Sequence, residues 1–125
     1  MRKEYEQKIQ SIKNDAKKAL ETGFLSDYVR LKYHLLAKYS ELLYMILYKV
    51  PLDENNELHI EDIIHKIEDK VNQSIVSIDQ LHTWRIIRND IVHEQYKVKS
   101  DELEEAKRFF REAESKFEVL LNEKN

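Results

Sequence analysis

Arg88, Asn89 and His93 fall within one six-residue string, R-N-D-I-V-H, and they are the residue types that phosphate-ester chemistry needs. A guanidinium offers phosphate oxygens a rigid fork of donors. An imidazole gives and takes protons near neutral pH. On a helix turning about 100° per residue, Arg88 and His93 project about 140° apart with Asn89 between them. Nowhere else does the chain set a phosphate-binding cation so close to a proton carrier.

The elements that must hold this string are helices. One glycine, one proline and 36% charged residues among 125 argue for long helices and few turns. Residues 3–22 place Tyr5, Ile9, Ile12, Ala16 and Ala19 at helical spacing and stop at Gly23. A second helix opens at Ser26-Asp27, read as an N-cap, and runs to residue 49 ahead of Pro51. Its apolar positions Tyr28, Leu31, Leu35, Tyr39, Leu42 and Ile46 cover a broad face, which predicts the central helix. Residues 51–57 form the clearest loop, and Ile60, Ile63, Ile64, Ile67 and Val71 mark a helix over 60–72. Ser77 with Gln80 fits a capping box and opens a fourth helix that carries the string to Tyr96. Ser100-Asp101-Glu102 caps a last helix striped by Leu103, Ala106, Phe110, Ala113, Phe117 and Leu120. The expected fold is all-α: one domain over 1–125, an up-and-down bundle of four main helices plus a shorter fifth.

Composition removes several function classes. Without cysteine there is neither a disulfide framework nor a thiolate metal site. His82 and His93 are eleven residues apart, about three turns, too far to share one ion. No H-x-x-x-H or E-x-x-H pair occurs, so neither a metal nor another cofactor is expected. A single glycine excludes the glycine-rich phosphate loops. The net charge of −3 gives no general basic footprint for nucleic acid, so a polyanion must be drawn in by a local patch. The charged N-terminus is unlike a signal peptide, and the most apolar stretch, residues 42–50, is too short to span a bilayer. A cytoplasmic protein without membrane attachment is expected.

With Arg88 as the zero of a helical wheel, Trp84 and Ile91 fall about 40° and 60° to one side. Leu81 and Val92 fall about 20° and 40° to the other. Arg88 therefore occupies an apolar face, where a guanidinium needs a partner anion such as Glu41 or Asp62, a cavity or an interface. The adjoining arc, about 60° to 140° round, holds Arg85, Tyr96, Asn89, His82 and His93 and no carboxylate. Asp79, Asp90 and Glu94 project to the far side. This segregation suits a phosphodiester, with Arg85, His82 and Tyr96 as candidate contacts beside Arg88. His34, His59 and His65 read as ordinary satisfied or solvated histidines, and the tyrosines of the second helix as core.

At these residues the chain resembles the HEPN superfamily, small helical bundles found in prokaryotic toxins, defence systems and RNA-processing enzymes. Its signature is R-x-x-x-x-H, often with a polar residue after the arginine, which Arg88, Asn89 and His93 match. The layout matches too, with the motif near the start of the last third and one long helix after it. The resemblance implies a metal-independent endoribonuclease that leaves 2',3'-cyclic phosphate ends, with Arg88 on the phosphate, His93 moving protons, Asn89 orienting one of them or contacting the backbone, and Arg85, His82 and Tyr96 as RNA contacts. It also implies a homodimer whose two motifs face each other around RNA. A toxin branch carries a tyrosine two residues after the histidine, modified by a nucleotidyltransferase antitoxin. Here Gln95 stands at that place and Tyr96 follows, a departure from that branch. Other members are non-catalytic dimerisation or partner-binding modules, the alternative function for this chain. A third reading, a ligand-binding regulatory bundle, has no ligand-specific signal in the sequence.

Overall fold

The computed structural model describes residues 2–51 and 59–124, and the expected loop past Pro51 lies outside them. Among the described residues there are five helices and no strand: α1 (Arg2–Glu21), α2 (Leu25–Tyr48), α3 (Ile60–Val71), α4 (Ile78–Glu94) and α5 (Ser100–Glu123). The all-helical bundle is as expected, with α3 as the short member. None of the helices is long and apolar enough to cross a membrane.

Sequence chemistry accounts for where the helices stop. After α1, Gly23 takes φ +80°. Its N–H donates to Leu20 O at 3.2 Å, and the Phe24 N–H donates to Ala19 O at 2.9 Å. This pair of bonds turns the chain back through a left-handed residue, the conformation glycine adopts without strain. Lys49, Asn72 and Gln95 close α2, α3 and α4 in the same left-handed region. Gln95 caps α4, whose last residue, Glu94, lies two before the expected end at Tyr96.

At the starts, one expectation holds and two change. Ser77 Oγ accepts from the Gln80 N–H at 3.3 Å, an N-cap as expected. Ser26 does not cap α2, because the cap position is Phe24 and Ser26 lies inside the first turn. From there its hydroxyl donates to Tyr96 O at 3.1 Å and accepts the Val98 N–H at 3.0 Å. It thus pins the α4–α5 connection onto α2. Ser100 is likewise the first helical residue of α5 rather than its cap; Glu102 reaches back instead to accept the Lys99 N–H at 3.0 Å.

α2 packs against all four other helices, the central role its broad apolar face predicts. Leu35, Leu36 and Leu43 of α2 are fully buried with Ile64 and Ile67 of α3, Leu81 of α4, and Phe110 and Phe117 of α5. Trp84 of α4 stacks beside Phe109 and Phe110, with centroids 6.5 and 5.9 Å away. Buried Leu81 and Trp84 thereby fix the rotation of α4 about its axis, and with it the direction in which Arg88 points.

Candidate functional site between α2 and α4

The buried side of α4 is centred on Leu81 and Trp84, which are 0% and 4% exposed. Arg88 is half-buried, and Val92, one turn on, is 47% exposed. The wheel had placed Arg88 in the middle of the apolar face; the structure moves it to the edge. The apolar contacts lie toward Trp84, and the Arg88–Val92 side opens onto a groove.

That groove, of about 310 Å³, is lined by Arg30, Tyr33, His34 and Ala37 of α2 and by Arg88 and Val92 of α4. The four α2 residues stand at i, i+3, i+4 and i+7, one face of the helix. The Arg88 guanidinium carbon sits 5.1 Å from the centre of the Tyr33 ring. A cation over a ring face is held by the ring's charge distribution, and Arg88 also draws the Tyr33 phenol down through its charge and a side-chain hydrogen bond, against the larger upward push of burial. Its Nε is buried without a hydrogen-bond partner, and no carboxylate pairs with it among the described residues. Neither Glu41 nor Asp62 serves as the expected partner; Glu41 is engaged by Lys38 at 3.0 Å. A cavity and an aromatic ring accommodate the charge instead.

His34 is exposed, as an ordinary satisfied or solvated histidine would be, and it also lines the groove with two arginines. Partial burial holds its imidazole below the ordinary histidine value, as do Lys38, Arg30 and Arg88, while Glu41 pulls the other way. Such a group is held neutral by its neighbours and accepts a proton when an anion offsets them. The Arg30, Tyr33, His34 and Ala37 spacing was visible in the sequence. Nothing in the sequence pairs that face of α2 with Arg88; the packing of α4 on α2 does.

The other expected site residues divide. His93 is exposed in the last turn of α4, and Asn89 beside it is half-buried. Neither side chain has a partner among the described residues. The proposed RNA contacts all find carboxylates, which corrects the acid-free arc. His82 Nδ1 and Arg85 Nη1 lie 3.5 and 3.6 Å from Glu61 Oε1. The Tyr96 hydroxyl donates to Glu102 Oε1 at 2.6 Å, and this bond above all pushes its phenol up. A wheel shows one helix alone; the acids arrive from α3 and α5. Among the described residues, no carboxylate lines the groove that holds Arg88.

No protein-family profile, curated protein or solved structure matches the chain.

Proposed function

We propose that this chain is a metal-independent endoribonuclease of HEPN type, acting as a homodimer as toxins and defence effectors of that family do. The observation that carries the proposal is Arg88: a guanidinium stacked on Tyr33 at 5.1 Å with no carboxylate partner among the described residues, on the same helix as an exposed, unengaged His93. An arginine held this way is positioned for an external anion. The nucleophile comes with the substrate. The ribose 2'-oxygen bonds to the adjacent phosphorus, its proton passes to a base, the bond from phosphorus to the 5'-oxygen breaks, and an acid returns a proton to that oxygen. Two copies of His93 across a two-fold axis supply the base and the acid. Arg88 stabilises the charge that builds on the phosphorane oxygens, and Asn89, between them on the helix surface, orients the phosphate or the imidazole.

The test is cleavage of single-stranded RNA in EDTA, with the ends analysed for 2',3'-cyclic phosphate. His93→Ala should abolish cleavage and leave the thermal midpoint nearly unchanged, because an exposed side chain without partners contributes little to stability. Cleavage that survives this substitution removes His93 from the chemistry. No cleavage of any RNA by a chain that is dimeric in solution leaves the partner-binding module, which the exposed Val92 beside Arg88 favours.

A further inference from the structure

Arg88 does not face the groove alone. Among the described residues Arg30 is tied only to Asp27, at 3.8 Å and with both side chains about half exposed, a geometry that holds a guanidinium weakly. His34 lines the same groove as the two arginines, and among the described residues no carboxylate does. Ala37 contributes only a methyl group to the same lining, which leaves the volume empty where a longer side chain would fill it. Two guanidinium forks, an imidazole and an open space between them match the donor geometry that tetrahedral oxyanions recruit.

We propose that the groove between α2 and α4 is a phosphoryl-binding site, complete within one protomer, in which Arg30, His34 and Arg88 hold a single tetrahedral oxyanion. The proposal deepens the cleavage reading, on which it rests only through Arg88, and it requires neither a dimer nor turnover. It adds α2 to a site that the R-x-x-x-x-H string confines to α4. It also gives binding a pH dependence. The groups facing His34 are Arg30, Lys38 and Glu41 from α2 and Arg88 from α4. An oxyanion among them offsets the three cations, so it favours the imidazolium form and binds more tightly as pH falls. By reciprocity, the bound ion must raise the pH at which His34 titrates.

Histidine-detected NMR on the full chain tests this, with sodium sulfate as the probe at constant ionic strength, since sulfate keeps its charge across the range. The His34 imidazole should shift saturably and titrate at higher pH with sulfate bound, while exposed His65 should not respond. Arg88→Met should weaken sulfate binding by about tenfold or more, the effect of one charged donor pair, and Arg30→Met should weaken it less. Ala37→Leu keeps every cation and fills the groove; it should abolish binding too, which separates a site from a merely cationic surface. His93→Ala should bind sulfate as wild type does, so loss of cleavage and loss of the oxyanion site are independent outcomes. A dinucleoside phosphate that competes with sulfate identifies a nucleic-acid diester as the ligand; competition by inorganic phosphate alone identifies a free oxyanion. Wild-type binding by Ala37→Leu, or equal shifts at His34 and His65, overturns the proposal.

Discussion

Toward α5, α2 presents charges that are answered inside the protein. Lys32 meets Glu114 at 3.2 Å, and Glu118 receives Lys13 at 2.7 Å and the Tyr39 hydroxyl at 2.7 Å. Toward α4, the same helix presents Arg30 and His34 to a groove where Arg88 sits over the Tyr33 ring and, among the described residues, no carboxylate enters. The first arrangement keeps charges near the core by pairing them, since an unpaired charge there is strongly destabilising. The second leaves cations half-wet and open. Pairing stabilises the fold and answers the charge, whereas a cation over a ring face keeps its charge unanswered by a carboxylate. The difference separates the side of α2 that holds the bundle together from the side able to take a ligand.

Lys32→Met should open the widest gap between the two sides. It strands Glu114, which is 8% exposed, and should lower stability by about 2–3 kcal/mol, somewhat less than a fully buried pair loses. Urea unfolding would show it, and Glu114→Gln added to Lys32→Met should recover most of the loss. Arg88→Met should move the same midpoint by about 1 kcal/mol at most, in either direction, because the loss is a cation–ring contact and one hydrogen bond to Tyr33, with no buried charge left stranded. Equal losses from Lys32→Met and Arg88→Met would erase the distinction.

Tyr39→Phe should cost about 1 kcal/mol by removing one hydrogen bond to a charged acceptor; Glu118 is partly exposed, which keeps the loss near the low end. The smallest effects are in pH dependence, and they run in opposite directions on the two sides. Burial raises the Glu114 carboxyl despite Lys32. Its stabilising contribution is therefore present below the ordinary carboxylate range and is lost as pH rises through the raised value. His34 is held low, so its contribution is present above the ordinary histidine value and is lost as pH falls through the lowered one. Glu114→Gln should flatten the first slope and His34→Asn the second, each read from chemical-denaturation midpoints against pH. Similar pH profiles for the two variants would show that the sides do not differ electrostatically. Burial pushes the Tyr28 hydroxyl up to about 12, with Glu114 adding to it, so this phenol stays protonated throughout that range.

Much of the scaffold was legible because helices announce themselves locally. Apolar period, the glycine at 23 and the Ser77 cap depend on residues within a few positions of one another, and each reappears in the bundle. Ser26 shows the limit: the residue type suits a cap, but the backbone of the α4–α5 connection claimed its hydroxyl. The candidate site was half legible. The sequence marks Arg88 and allows a cavity as one solution for it, but Arg30 and the exposed His34 carry no local signal that ties them to α4. The polar arc looked free of acids until Glu61 and Glu102 arrived from α3 and α5.

The sequence by itself determined that this chain is helical, that α2 is central, and that Arg88, Asn89 and His93 share one helix. Only the tertiary structure decided which charges are answered. Period and capping are set by neighbours in the chain, but a side chain's counter-charge comes from whatever helix packs beside it. The rotation of α4, fixed by buried Leu81 and Trp84, turned Arg88 toward Tyr33 and His34 and turned Arg85 and His82 toward Glu61.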